Sequence, residues 1–540
     1  MLIPSEVKFV IEQLKNQGFD AYIVGGCVRD ILRGAEPEDW DIATNAEPEE
    51  IGKIFLKSFS NNKFGTVTVL IEKSKKSFPK IFSENSEEQE SQPEPEYMEI
   101  EITPFRTEEK YTDKRHPDEV KWAKTIEQDL ARRDFTVNAM AIDVELQIAN
   151  CKLQIANKSQ KNSKLQIPKN KKGTLFIEHG NFKIIDPFGG QKNLENKIIK
   201  AVGEPENRFN EDALRIMRAI RFAVCLDAKI WTIEEKTEQA IQKNAGLLSY
   251  VSQERIRDEL LKIIKSQNGA KGIEILRKKN LLHYIIPELE QGFNNTQNKH
   301  HIYQIYQHSL LSLNFACQKK FSMATRFAAL LHDVGKPRVK QGEGLDSTFY
   351  NHEVVGAKIT EQILSRLKFP KKDSDKIVKL VRYHLFYYNV DEVGDSSVRR
   401  LLKKVGKENI LELLKVRQAD RIGSGVPKAE PYKLRHLKYL FEKVSQDPIS
   451  PHMLKVSGND VMTILKISPG PKVGQILSCL LDQVLIDPEK NDQEFLEKEI
   501  ECLGKMSEQE LKKLTESSKK EIEKIETKRD EMTKEKYWVT

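Results

Sequence analysis

"AYIVGGCVRDILRG", Ala21–Gly34, and "PEDWDIATNA", Pro37–Ala46, are near neighbours in the chain, and the reading of the fold starts from them. The spacing predicts a strand over "AYIV", a helix over "VRDILRG" closed by Gly34 as its C-cap, and a second strand over "WDIAT". Residues i and i+2 of a strand share a face, so Asp39 and Asp41 are expected to project together, with Trp40 and Ile42 on the other side. Two carboxylates at one point repel each other unless a divalent cation lies between them, and oxygen ligands with open positions suit Mg²⁺ bridging to phosphates. Gly25 and Gly26 let the backbone approach a ligand without a Cβ in the way, at the positive end of the helix that follows. Arg29, on its first turn, adds a cation for the same phosphates. Neither GxxxxGK[ST] nor GxGxxG is present, which excludes a P-loop and a dinucleotide fingerprint.

Composition bounds the rest. A chain of 540 residues is too long for one core and predicts several domains. Nowhere does an apolar run approach the ~20 residues of a membrane span, and the first helix, spanning about Leu2–Gln17, carries acids unlike a signal peptide. A cytoplasmic protein with no membrane partner is expected. The cysteines at 27, 151, 225, 317, 479 and 502 form no CxxC pair, so neither a zinc ribbon nor a disulfide framework is expected. A net charge of +7 is mild for this length and only weakly favours a polyanionic partner. "FGTVTVLIE", Phe64–Glu72, and "YMEIEITPFR", Tyr97–Arg106, alternate with period two and predict neighbouring strands. Two insertions interrupt this front half, a Ser/Pro/Glu-rich run at about 73–96 and a run at about 145–173 in which "LQIAN" occurs twice. From Gln191 helical periodicity dominates, and 489–540 reads as charged helix or helical hairpin.

Gly-Gly-x-x-Arg-Asp followed by an acidic pair on the next strand resembles the DNA polymerase beta nucleotidyltransferase superfamily. With "ARRDFTVNAMAID" (Ala131–Asp143), "DPFGG" (Asp186–Gly190) and "EDALRIMRAIRFA" (Glu211–Ala223) following in order, about residues 4–290 are similar to class II, bacterial-type tRNA nucleotidyltransferases, the CCA-adding enzymes, and to their relatives the poly(A) polymerases. The resemblance implies two metal ions activating a 3′-hydroxyl and stabilising leaving pyrophosphate, with Asp39 and Asp41 as Mg²⁺ ligands and a third carboxylate on a neighbouring strand. Glu101 is the candidate, with Glu99 in reserve. Arg133 and Asp134 pair a fixed charge with an acceptor, and the resemblance implies that they select the ribose. Asp212 and Arg215, three apart on an expected single helix, present an acceptor beside a forked donor; the resemblance implies that they template first CTP, then ATP. Arg218 and Arg221 continue that helix's basic side toward phosphates. The helix bearing Glu254, Arg255 and Arg257 is expected to be scaffold. "RTEEKYTDKRHPDEVKW", Arg106–Trp122, looks like the flexible loop associated with A addition and disfavours a CC-only enzyme.

A second constellation follows: His308, His332, Asp333, His352, His384 and Asp420, each within an apolar helical pattern. Over about residues 300–425 it resembles the HD superfamily of metal-dependent phosphohydrolases. Imidazole with carboxylate suits Mn, Fe, Ni, Co or Zn better than Mg²⁺ alone. Asp333 is expected to bridge two ions, with His308, His332 and Asp420 completing one site and His352 with His384 the other, and Lys336 placed for a substrate phosphate.

The expectation is an α+β protein. A polymerase-beta-like head at 1–190 precedes a helical nucleotide-selecting and tRNA-binding region at 191–297, an HD domain at 298–425 and a C-terminal helical region at 426–540. Its expected work is template-independent addition of CCA to tRNA from CTP and ATP, with an HD phosphohydrolase or phosphodiesterase side activity. The rivals are a poly(A) polymerase, an A-adding or CC-adding specialist, and an HD hydrolase whose front half only binds RNA. The oligomeric state stays open.

Overall fold

The computed structural model describes residues 3–60, 65–73, 96–109, 119–145, 174–177, 180–297, 302–390, 392–393, 395–445, 454–486 and 490–539. Nearly all of the two expected insertions, and residues 110–118, lie outside the described residues. The chain divides into two compact units, one of residues 1–295, 317–323 and 361–374, the other of 296–316, 324–360 and 375–540.

The first unit is built on an eight-stranded sheet. Its elements include β1 (Ala21–Val24), β2 (Asp41–Thr44), β3 (Ser58–Ser60), β4 (Val67–Glu72) and β5 (Tyr97–Pro104). After a separate two-stranded ribbon, β6 (Arg106–Glu109) and β7 (Glu119–Trp122), the sheet resumes with β8 (Ala141–Glu145), β9 (Thr174–Ile177) and β10 (Gly180–Ile185). The strand order is β3-β4-β5-β2-β1-β8-β10-β9, and β2 with β5 is the parallel pairing in an otherwise antiparallel sheet. Alternation divides the strands between two cores. Ile23, Ile42, Ile102 and Ile142 face the Ser5–Asn16 helix, whose Val7, Val10, Ile11 and Leu14 form one apolar stripe. Val24, Ala43 and Ala141 face the other way, with Phe105 and Leu130. Asp41 belongs to this second face, at the strand end nearest the glycines.

Three expectations are corrected here. First, β2 begins at Asp41, and Asp39 lies in the bend before it; pairing starts only at Trp40, whose carbonyl accepts from the Glu101 N–H at 3.1 Å. Second, the loop expected over 106–122 has ordered β6 and β7 arms in register Arg106↔Trp122. Third, "EDALRIMRAIRFAVCL" is not one helix. It is the end of Pro205–Glu211 and the whole of Leu214–Cys225, with Asp212 extended between them at φ −134° and ψ 106°. The Asp212 carboxylate accepts from the Leu214 N–H at 3.1 Å, the local bond by which aspartate competes with helix continuation. Helices then predominate, apart from the short parallel pair β11 (Ile198–Ile199) and β12 (Thr232–Ile233).

In the second unit, helices carry the histidine-rich segment, and a separate core forms around Val461, Ile476, Leu480, Leu496 and Ile500. The charged end is a helical pair as expected, Gln493–Gly504 and Glu508–Tyr537, the latter opened by a Ser507/Glu510 capping box. The described cysteines are free thiols. Among the described residues no helix is long and apolar enough to cross a membrane.

"DPFGG" proves to be a packed cap. The Asp186 carboxylate accepts from the N–H groups of Gly190 and Gln191 at 2.7 and 2.9 Å. A Cβ on Gly190 would lie 2.3 Å from the Thr136 carbonyl and 2.8 Å from Met140. Gly190→Ala is therefore expected to lower stability by about 1–3 kcal/mol through overpacking, read as a lower thermal unfolding midpoint.

Candidate active site and metal centre

A cavity of about 800 Å³ opens where β1 passes into the Gly26–Arg33 helix, and Gly25, Gly26, Arg29, Asp39, Asp41, Arg133, Asp134, Asp212, Arg215, Arg218 and Arg221 all line it. Nine basic and five acidic side chains share its walls, an excess suited to a polyanion. The two glycines are not equivalent. Gly25 sits at φ +80° and ψ −138°, a region essentially reserved for glycine. A Cβ there would meet Arg133 Nη1 at 3.0 Å and Asp41 Oδ2 at 3.1 Å. Gly26 would meet Arg29 at an ordinary 3.5 Å.

Asp41 is largely buried, and its carboxyl is pushed up to about 6 by burial, partly offset by Arg133, with Glu101 and Asp39 adding repulsion. Glu101 is its register partner across the parallel β2–β5 pairing, on the same sheet face. Glu101 therefore acts on Asp41 directly, whereas Glu99 pairs with Leu70 farther along β5. An anion held up by neighbouring anions is a group that a divalent cation would relieve, so these carboxylates fit Mg²⁺. They are looser than the second centre below, since among the described residues only histidine–aspartate groups bring three donors within 4.8 Å of one another.

The arginines form a network that the chain pattern did not reveal. Arg133 and Asp134 both line the cavity and bond to different partners rather than to each other. Arg133 bonds Asp129 at 3.0 Å, and Asp129 also holds Arg132 at 2.7 Å. Asp134 is buried: one oxygen accepts from the Phe135 N–H and Asn138 Nδ2, the other from Arg218 Nε and Nη2 at 2.8 and 2.5 Å. Burial alone would raise the Asp134 carboxyl, but Arg218 and Asn138 hold it well below the usual range. Asn138 also accepts from Arg29 at 2.8 Å, so one chain of bonds runs Arg29–Asn138–Asp134–Arg218. The guanidinium groups of Arg29, Arg218 and Arg221 lie 5.4, 5.4 and 4.2 Å from the Phe222 ring.

Asp212 and Arg215 do not share a helix face. Asp212 accepts from Arg255 at 2.8 Å. Arg215 donates to the carbonyls of Arg208 and Arg132 at 3.2 and 3.0 Å and to Glu211 at 2.5 Å. Arg255, assigned to scaffold from the sequence, thus lines the cavity and orients Asp212. Its long sequence separation left no local signal.

In the second unit, His308, His332, Asp333, His352, His384 and Asp420 come together, all buried. The Nε2 atoms of His308 and His332 lie 2.8 Å apart, and 3.2 and 3.3 Å from Asp333 Oδ2. Asp420 Oδ1 is 3.3 Å from His308. His352 and His384 face Asp333 Oδ1 at 3.4 and 3.8 Å. Nδ1 of His332, His352 and His384 lies 2.9, 2.8 and 2.7 Å from the carbonyls of Ala329, Phe349 and Val381. A nitrogen facing a carbonyl carries the proton, so the Nε2 lone pairs point inward, the arrangement by which second contacts orient metal ligands. Burial opposes charge on His332, but Asp333 and Asp420 outweigh it and push it up to about 10, and a metal ion at Nε2 would displace that proton. His384 is pushed down to about 3 by burial, with His332 adding to it. Inward lone pairs and a central carboxylate fit divalent metal ions. Lys336 forms an ion pair with Asp333 at 2.7 Å and donates to Gln297 at 2.6 Å. Gly335 permits the approach of the His352–Arg366 helix, since a Cβ there would lie 2.3 Å from the His352 carbonyl.

The family described as "Poly A polymerase head domain" matches residues 21–153, "Probable RNA and SrmB- binding site of polymerase A" matches 231–293, and "HD domain" matches 305–424. The A-adding tRNA nucleotidyltransferase of Deinococcus radiodurans is 32% identical over 66% of this chain and 75% of its own length. The CCA-adding enzyme of Ligilactobacillus salivarius is 31% identical over 92% of this chain and 96% of its own. The chain belongs to the tRNA nucleotidyltransferase family. The solved Bacillus stearothermophilus CCA-adding enzyme in complex with CTP agrees in fold, with a TM-score of 0.54 at 27% identity, covering 93% of this chain and 97% of that one.

For this tRNA nucleotidyltransferase two outcomes are expected. Gly25→Ala abolishes nucleotide incorporation, whereas Gly26→Ala retains measurable activity in the same primer-extension assay. Asp134→Ala strands the partly buried Arg218 charge and costs about 2 kcal/mol, the scale of a lost hydrogen bond between charged groups. Because the folded Asp134 carboxyl is held below its unfolded value, its contribution is present above about pH 4. It is lost as pH falls through the folded value, so wild type and Asp134→Asn should converge in denaturant titrations in strong acid.

Proposed function

We propose that the head cavity adds CCA to the 3′ end of tRNA from CTP and ATP. The observation that carries this is the convergence in one basic cavity of the glycine turn, Asp39 and Asp41, and the arginine network on the helix bearing Arg215. In this reading Gly25, Gly26 and Arg29 seat the triphosphate. Asp39, Asp41 and Glu101 would hold Mg²⁺, which when bound activates the attacking hydroxyl and neutralises the leaving group. The RNA 3′-oxygen bonds to the α-phosphorus, the bond to the β-phosphate oxygen breaks, and pyrophosphate leaves. Arg133 and Asp134 address the ribose, with Asp134 exchanging a bond within the Asn138–Arg218 chain. Asp212, oriented by Arg255, and Arg215 address the base edge, while Arg218 and Arg221 add charge for phosphates. The domain partition follows the same logic, with a head to 190, a tRNA-binding helical region to 297, the HD region to 425 and helices beyond. A tRNA substrate supports a cytoplasmic protein in this reading.

A second reading has a specific observation behind it. The Deinococcus radiodurans relative is an A-adding enzyme, so CTP use decides between CCA addition and A addition. With tRNA transcripts ending before CCA, after C and after CC, and CTP and ATP supplied separately and together, all three are expected to finish as CCA and stop. Uptake of ATP alone, beginning only from CC, establishes the A-adding specialist; a growing A tail establishes a poly(A) polymerase. Asp39→Ala with Asp41→Ala is expected to abolish incorporation in every arm.

The buried histidine–aspartate centre carries a further hydrolytic activity on phosphate esters, such as a 2′,3′-cyclic or terminal phosphate. A water oxygen bonds to phosphorus, one ester P–O bond breaks, and the departing ribose oxygen takes the proton. Divalent metal ions held by His308, His332, Asp333, His352, His384 and Asp420 would polarise the phosphate; Mn, Ni, Co, Fe, Zn and Mg²⁺ all suit these donors. Lys336 would leave Asp333 for a phosphate oxygen. Asp333→Ala is expected to eliminate hydrolysis of such esters while nucleotide incorporation continues, measured on the same preparation. A metal-replete wild type inert toward such esters would refute this activity.

A further inference from the structure

His384 sits in "LVRYHLFYYN", Leu380–Asn389, and the residues around it line a second cavity of about 380 Å³, within the size range of small-ligand sites. Tyr383, Phe386 and Tyr387 supply aromatic walls, and Arg382, Arg400 and Lys404 supply cations; among the described lining residues none is acidic. Tyr387 is 71% exposed, unusual for so large an aromatic side chain, and its hydroxyl donates to Glu392 and accepts from Asn389. The Arg382 guanidinium lies 5.4 Å from the Tyr383 ring. Arg417 ties this cavity to the metal centre: its guanidinium is 5.9 Å from the Phe386 ring and its Nη1 is 2.6 Å from Asp420 Oδ2.

We propose that this aromatic and basic cleft binds the base and phosphate of a nucleotide, and so makes the HD centre selective for nucleotide esters over simple phosphoesters. The inference rests on the hydrolytic reading of that centre. Planar π faces beside fixed cations match a ligand that is itself a planar ring joined to an anion, and stacking on aromatic rings tolerates any base. Inorganic phosphate would use the cations and leave the rings idle. Because Arg417 reaches from the Phe386 ring to Asp420, a base stacked on Phe386 would lie one guanidinium away from the metal centre.

Two measurements on the full chain test this. Photocrosslinking with 8-azidoadenosine 3′-monophosphate, mapped by mass spectrometry, is expected to label residues within 382–388, with labelling reduced about tenfold by Tyr387→Ala, the scale of one base stack, and kept by Tyr387→Phe. Labelling confined to the head cavity, or unchanged by Tyr387→Ala, overturns the proposal. With Mn²⁺ supplied, kcat/KM is compared for adenosine 2′,3′-cyclic phosphate, a short RNA ending in that group, and a base-free phosphodiester. Preference for the nucleotide arms that Tyr387→Ala diminishes through KM supports the cleft, and the better of the two nucleotide arms tells whether its source is free nucleotide or an RNA end. Equal turnover of the base-free ester overturns it. Should no ester be hydrolysed, the hydrolytic reading fails and with it the proposed selectivity, while the crosslink separately reports whether the cleft binds a base.

Discussion

The burial of Asp41 beside the carboxylates of Glu101 and Asp39 is the constraint around which the head is arranged. The parallel pairing of β2 with β5 sets Asp41 opposite Glu101, and the bend before β2 brings Asp39 within electrostatic reach. Burial, with repulsion from Glu101 and Asp39 added, raises the affinity of the Asp41 carboxyl for a proton. The fold answers with Arg133 at the back of Asp41 and leaves the glycine turn open in front, where Gly25 adopts a backbone conformation that admits no side chain. Anionic ligands and cations are thus both wanted in one place, which is the requirement of metal-assisted phosphoryl transfer.

The arginines show how the same cavity is kept in order without ligand. Each guanidinium that lines it is held by a buried or half-buried acceptor: Arg218 by Asp134, Arg221 by Glu259, Arg132 and Arg133 by Asp129, Arg255 by Asp212, Arg215 by Glu211 and Arg29 by Asp30. Such pairs contribute little net stability once desolvation is included. What they supply is position, above all for Arg218 and Arg133, since a planar fork bonded twice to one carboxylate has few alternative orientations. Asp134, in contact with Phe135, Asn138 and Arg218 together, is the hub of that order. The second centre uses a different device. Backbone carbonyls one helical turn back hold three of its four histidine rings, and glycines at 335 and 423 allow the helices to approach closely enough for the rings to meet.

Much of this was legible in the chain. The strand–Gly-Gly–helix turn, the acidic pair and the ordered histidines are each set by a few adjacent residues whose conformational needs are local, and the structure gathers them in the two expected clusters. What misled was the assumption that regular spacing means a regular element. Asp212 and Arg215 are three apart, yet the Asp212 side chain caps the next helix and breaks the run. Asp39 and Asp41 are two apart, yet only Asp41 is in the strand. Arg133 and Asp134 are adjacent and bond to different partners. For Asp212 the side-chain hydrogen bond to the Leu214 N–H outweighed a helix propensity worth tenths of a kcal/mol.

The sequence by itself determined the elements and the chemical inventory: which residues turn, which alternate, and which side chains carry charge or can ligate a metal. Those properties depend on neighbours one to four positions away, and they are read directly. Only the tertiary structure decided the partners. Arg255 comes to Asp212 across 43 positions, Arg218 to Asp134 across 84, and Glu101 to Asp41 through a strand pairing that spans the first insertion. Such pairings are chosen by how two apolar faces bury against each other, and no local pattern encodes which distant charge that burial will bring alongside.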